Sequence, residues 1–215
     1  MTDRKNFIQE ARTYIGQTGY GVCIQKLKIG FICDWCAFSV SSIMNDCGFV
    51  GKYIKAVEGG AGLIWKKPRA PFMRTDWKFN MEPIIWGWRK DGKHIWYGDQ
   101  KQTAVFEFEG IKDSEKEGFS HPSSKPVPLI VYLIKQCTQT NGLVLDGFLG
   151  SATTLIACEQ INRTCYGVEL EPKFVDVAVV RYIQYKNNDS SDVYVIRDGE
   201  KIQYGDLVKE IDRNE

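Results

Sequence analysis

The stretch Leu143-Val-Leu-Asp-Gly-Phe-Leu-Gly-Ser-Ala-Thr-Thr154 constrains this chain more than any other. Three apolar residues ending in Asp146 read as a buried parallel strand that reaches the carboxyl edge of a sheet. Gly147 and Gly150 bracket a tight turn, and the small or hydroxylated residues Ser151 to Thr154 open a helix that continues through Leu155-Ile-Ala-Cys-Glu-Gln160. Strand, glycine turn and helix in that order present backbone N–H groups and the positive end of a helix dipole, an environment suited to a carboxylate or phosphate. A plain structural turn has the same composition, so the neighbouring segments decide its meaning.

Upstream lies His121-Pro-Ser-Ser-Lys-Pro-Val-Pro-Leu-Ile130; downstream lie Cys165-Tyr-Gly-Val-Glu169, a second strand with an acidic end, and Glu171-Pro-Lys-Phe174. The three segments together resemble the cofactor-binding half of DNA amino-methyltransferases. Motif X of that family (H-P-x-x-K-P) matches His121-Pro122 and Lys125-Pro126. Motif I (D-P-F-x-G-S-G-T-T) matches Asp146 to Thr154, and the acidic end of motif II matches Glu169. Gly147 stands where proline is usual and Ala152 where glycine is usual, which implies loosened rather than lost cofactor geometry. The resemblance implies an α/β fold, a Rossmann-like doubly wound sheet, and S-adenosylmethionine as cofactor. It assigns Asp146 to the methionyl ammonium and Phe148 to packing against the cofactor. Ser151, Thr153 and Thr154, with their backbone N–H groups, face the cofactor carboxylate, Gly150 belongs to the same cofactor-binding turn, and Glu169 accepts hydrogen bonds from the ribose diol. His121, Lys125 and Pro126 close the methionine side. Taken alone, Glu169 also reads as a surface carboxylate at a strand end.

The same family likeness extends to Leu63-Ile-Trp-Lys-Lys-Pro68, to Glu82-Pro-Ile-Ile-Trp-Gly-Trp88 and to Gly92-Lys-His-Ile-Trp-Tyr-Gly-Asp99. It covers roughly residues 63–186 and implies double-stranded DNA as partner, methylated at adenine N6 or cytosine N4 in a restriction-modification setting. Lys66, Lys67, Arg69 and Arg74 are candidate phosphate contacts, or a solvated basic face. Trp65, Trp77, Trp86, Trp88 and Trp96 are candidates for stacking on an extruded base, or core. The family's motif IV, [D/N/S]-P-P-[Y/F/W], holds the target amine in line with the methyl donor. That tetrapeptide occurs nowhere in these 215 residues. The resulting expectation is that the isolated chain binds cofactor without transferring methyl groups, its sheet incomplete or completed by a second chain.

Composition adds bounds. A formal net charge of +1 gives no global attraction to nucleic acid, so any DNA surface must be local. Seven irregularly spaced cysteines do not form a disulfide framework, and no apolar run reaches a membrane span; the expected location is cytoplasmic, the host cytosol for a phage gene.

Residues 1–62 read differently. A short amphipathic helix over 7–15, a glycine-rich loop, then Trp35-Cys-Ala37 and Gly48-Phe-Val-Gly-Lys-Tyr-Ile54 resemble the start of CHAP-type peptidoglycan amidases, whose nucleophile would be Cys36. The base such a thiol requires would have to be His94 or His121, both inside the methyltransferase-like part. Cys36 reads otherwise as a buried thiol. Cys23, Cys33, Cys36 and Cys47 match no common zinc spacing, so no metal is expected. Glu58-Gly-Gly-Ala-Gly62 is the expected flexible boundary. The expected organisation is a mainly helical amidase-like fragment (1–62), a cofactor-binding region (63–187), and a C-terminal hairpin around Asp198-Gly199 with an acidic tail (188–215).

Overall fold

The computed structural model describes residues 22–23, 57–70, 76–78, 80–89, 94–111, 124–197 and 200–207. In chain order these form β1 (Val22–Cys23), β2 (Val57–Lys66), β3 (Met81–Arg89), β4 (Val105–Glu107), α1 (Val127–Cys137), β5 (Leu143–Asp146), α2 (Thr153–Gln160), β6 (Thr164–Glu169), α3 (Pro172–Tyr185), β7 (Tyr194–Arg197) and β8 (Glu200–Gln203). The helical amidase-like reading of residues 1–62, Cys36 included, lies outside the described residues except for β1 and the start of β2. β1 is a strand, paired antiparallel with the end of β6 through Val22↔Glu169.

β5 and β6 are parallel, in register from Leu143↔Thr164 to Asp146↔Gly167, and α2 makes the crossover between them. This places Asp146 and Glu169 at the carboxyl edge of neighbouring strands, as expected of a doubly wound α/β unit. A second sheet has the order β3-β2-β4, with β2 antiparallel to β3 and parallel to β4. β7 and β8 pair antiparallel as the expected hairpin requires, with Arg197 opposite Glu200; Asp198 and Gly199 lie outside the described residues.

α1 joins the two sheets. Pro126 precedes it and Pro128 lies in its first turn, where a missing N–H costs nothing. Leu129 and Leu133, one turn apart, form a buried cluster with Trp65 of β2 and Ile84 of β3. Ile134 and Cys137 enter a larger cluster with Val144, Leu155, Cys158, Cys165 and Ala178. α2 is short and buried at Thr153 and from Leu155 to Cys158, so it has no polar face to give it amphipathic period. Arg163 fastens the far end of α1: its guanidinium donates to the Thr138 carbonyl at 2.9 Å and to the Ile161 carbonyl.

The glycine stretch expected to be a flexible break is strand. β2 runs through it, with Gly60↔Gly87, Ala61↔Trp86 and Gly62↔Ile85 in the ladder and a register shift between Val57 and Gly60. Glycines weaken a strand alone, but here a nine-residue partner rich in β-formers supplies the pairing.

Cys158 and Cys165 are core thiols. The hydrogen bond that the Cys165 thiol makes to Cys158, followed by burial, holds that thiol well above its ordinary range and keeps it protonated. Among the described residues no cluster of three potential metal ligands occurs, and no helix is long and apolar enough to cross a membrane.

Candidate cofactor site

The turn between β5 and α2 is shaped by two left-handed residues, Gly150 (φ 53) and Ala152 (φ 64), on either side of Ser151. The Leu149 N–H donates to the Val168 carbonyl at 2.9 Å, and the Ala152 N–H to the Leu149 carbonyl at 3.0 Å, so the turn folds back over β6. Gly167 permits this approach: a Cβ there would lie 2.5 Å from Leu149 Cδ2.

Glu169 organises the floor. It is buried, and its Oε2 accepts from the Gly150 N–H at 2.6 Å, while Oε1 accepts from the N–H groups of Leu170 (2.9 Å) and Glu171 (3.0 Å). An ionised carboxylate has about four acceptor directions. Three are taken by backbone, so Glu169 is a structural hub of the turn and retains about one direction for a ligand hydroxyl.

Asp146 stands beside it. Burial raises its carboxyl above the ordinary value; hydrogen bonds from the Thr154 side chain and the Phe148 N–H (2.9 Å) oppose that rise, and the charge of Glu169 adds a smaller upward push. A carboxylate desolvated next to a second carboxylate is an electrostatic seat for a cation. Phe148 is 85% exposed at the rim, a large ring that none of the described residues covers and that is available to a flat ligand.

The hydroxyl residues of the turn divide. Thr154 serves Asp146, and Thr153 is buried at the first turn of α2. Ser151 is buried and its Oγ lies 2.8 Å from Ser124 Oγ and accepts from Arg181 Nη1 at 2.9 Å. Pro126 is buried at the start of α1, and Lys125 Nζ lies 3.2 Å from Glu82 Oε2 on β3. His121 lies outside the described residues. Ser124 and Glu82 lie inside the quoted segments without a role assigned to either, and Arg181 lies outside the motifs. Arg181 carried a signal, being a cation three residues after the buried Ala178 on the same helix face.

Ala152 occupies a backbone state that costs an L-residue roughly 1–2 kcal/mol. Ala152→Gly relieves that strain and forfeits one buried methyl, about 0.8 kcal/mol. The expected net is a gain of up to about 1 kcal/mol in urea unfolding, with unchanged or tighter cofactor binding. Destabilisation by more than about 1 kcal/mol would show that methyl packing outweighs the backbone term.

The candidate DNA residues are unequal. Lys66 pairs with Glu107 at 2.7 Å on the surface, and Lys67 pairs with Glu82 while sitting 4.9 Å over the Trp65 ring. Arg69 is exposed; Arg74 lies outside the described residues. Trp65 is core, its indole N–H donating to the Phe108 carbonyl at 2.9 Å. Trp86 packs against the larger core cluster and edge-on against Trp96, whereas Trp77 is 82% exposed.

A family model described as DNA methylase, of N6/N4 type, matches residues 62–180, more than half of the chain. The chain belongs to this DNA methylase family. Curated relatives include the type II methyltransferase M2.MboI of Moraxella bovis, 33% identical over 132 residues, or 56% of this chain and 48% of the relative. Another is the type II methyltransferase M.BglII of Bacillus subtilis, 29% identical over 119 residues, or 50% of this chain and 33% of the relative. The chain thus spans about half or less of the length of these relatives. Among solved structures, an M1.HpyAVI–SAM complex superimposes with TM-score 0.53 at 22% identity, covering 67% of this chain and 71% of that one. That likeness carries the methylase fold onto the strands and helices described above.

Proposed function

We propose that the chain binds S-adenosylmethionine at the edge of β5 and β6 and forms the cofactor half of a site-specific DNA amino-methyltransferase, acting on adenine N6 or cytosine N4. The observation that carries this reading is the placement of Glu169 and Asp146 at the ends of adjacent parallel strands, around a turn with two left-handed residues. The residues suit the group. Asp146 offers desolvated negative charge to the methionyl ammonium, Glu169 its remaining acceptor direction to the ribose, and Phe148 an uncovered ring to the adenine. When bound, the cofactor supplies an electrophilic methyl group on sulfonium. The chain's own part is to orient it, with the Glu169 network fixing the turn against β6.

Transfer also requires acceptors that hold the target amine in line. No motif IV tetrapeptide is present in this sequence, so those acceptors come from another polypeptide segment, in cis or as a second chain that adds to the sheet. Double-stranded DNA is the proposed substrate and the cytoplasm the proposed location. The family match and the relatives favour this reading over an amidase using Cys36. For residues 1–62, the amidase likeness rests on sequence alone.

The deciding assay pairs calorimetric titration of S-adenosylmethionine with incorporation of labelled methyl groups into unmethylated DNA. The expected result is saturable binding without incorporation by the chain alone. Robust incorporation would reveal a substitute for motif IV; a folded protein that does not bind would refute the cofactor reading.

A further inference from the structure

We propose that Arg181 is a positioning residue for the cofactor turn, acting through Ser151; this rests on the cofactor reading given above. Arg181 projects from α3, and its Nη1 donates both to the Ser151 carbonyl and, at 2.9 Å, to Ser151 Oγ. Ser151 is 3% exposed and its hydroxyl continues to Ser124 Oγ at 2.8 Å. Ser124 directly precedes Lys125, whose ammonium is 3.2 Å from Glu82 on β3. The guanidinium therefore gathers α3, the turn, and the segment entering α1 at one buried serine.

The location matters because of the backbone. Ser151 lies between left-handed Gly150 and Ala152, so the Ser151 carbonyl and the N–H groups around it are set by a conformation with little intrinsic preference for a non-glycine chain. A planar, always-charged donor that reaches carbonyl and hydroxyl together holds that conformation; a lysine ammonium, a compact point charge, reproduces it only in part. The arrangement also assigns the Ser151 hydroxyl to the protein rather than to the ligand carboxylate. What Ser151 contributes to cofactor binding is then the placement of the turn. The Gly150 N–H held by Glu169 on one side and Ser151 held by Arg181 on the other fix the turn from both flanks.

The test is calorimetric titration of S-adenosylmethionine into the full chain and into Arg181→Met, Arg181→Lys, Ser151→Ala and the Arg181→Met/Ser151→Ala double variant. Lys186→Met serves as a matched control, because it removes the α3–α2 ion pair (Lys186 to Glu159, 2.8 Å) away from the turn. Expected is an affinity about tenfold weaker for Arg181→Met, partial recovery in Arg181→Lys, and a double variant no weaker than Arg181→Met alone. Lys186→Met should keep wild-type affinity. If Arg181→Met does not fold, Arg181→Lys and Ser151→Ala carry the same comparison. Wild-type affinity in the Arg181 and Ser151 variants overturns the proposal, and so does additivity in the double variant. Equal weakening by Lys186→Met overturns it too, because that would reduce Arg181 to general helix packing. A folded wild-type chain that does not bind overturns the cofactor reading and this proposal with it.

Discussion

Glu169→Ala is expected to abolish measurable S-adenosylmethionine binding and to lower the unfolding free energy by about 2–4 kcal/mol. The carboxylate accepts from Gly150, Leu170 and Glu171 at 2.6–3.0 Å in a buried position, and truncation leaves those three N–H groups without it. A hydrogen bond to a charged group contributes about 1.5–3 kcal/mol, and bonds sharing one carboxylate do not add independently. The Gly150 N–H is the most exposed to loss, since it alone connects the turn to the end of β6 through this side chain. Glu169→Gln separates shape from charge. Its single carbonyl oxygen can serve either Gly150 or the Leu170/Glu171 pair, while its NH₂ faces a donor at the other side. An intermediate loss, about tenfold in affinity, is expected. Urea unfolding followed beside calorimetric titration measures both effects. Unchanged affinity in the alanine variant would refute the hub role and the proposed ribose contact together.

The strand–turn–helix around Asp146 was legible because its determinants are local. An apolar run sets β5, Gly150 supplies one of the turn's two left-handed positions, and apolar residues on both sides of α2 mark burial. Pro172 begins α3 for a similarly local reason. Glu58 to Gly62 misled because strand membership there depends on a partner more than twenty residues away: Ala61 lies opposite Trp86. The site itself was only half legible. Motif spacing located Asp146, Ser151 and Glu169 but gave the side chains their ligand-facing roles by likeness. In the folded chain much of that capacity turns inward: Ser151 to Ser124 and Arg181, Lys125 to Glu82, and three of the Glu169 acceptor directions to backbone. Such convergences involve residues from β3, the segment before α1, the turn and α3, which no sequence window spans.

Acidification should weaken S-adenosylmethionine binding from a pH above the ordinary carboxylate range, and Asp146→Asn should remove that acid limb. Burial is the main reason that the Asp146 carboxyl titrates above its usual value. Its folded pKa thus lies above the unfolded one. For stability, its favourable contribution is fully present below the unfolded pKa and is lost as pH rises through the folded pKa. Cofactor binding has the opposite sign. An ammonium beside the carboxylate favours its charged form and lowers its pKa, so binding releases a proton wherever the free protein still holds one. Titrations at stepwise lower pH in buffers of different ionisation enthalpy should therefore report fractional proton release on the acid side, falling to none as the pH rises above the Asp146 titration. Asp146→Asn keeps the size of the side chain and can keep the bond from the Phe148 N–H, but it offers no charge to the ammonium. An affinity about 10–100-fold weaker and independent of pH in this window is expected. Because the asparagine also removes a half-buried charge near Glu169, the variant should be no less stable than wild type at neutral pH. Weak binding in a variant of full stability would assign the loss to the ammonium contact. Proton release that persists in Asp146→Asn would move the acid limb to another group and leave Asp146 without the role proposed for it.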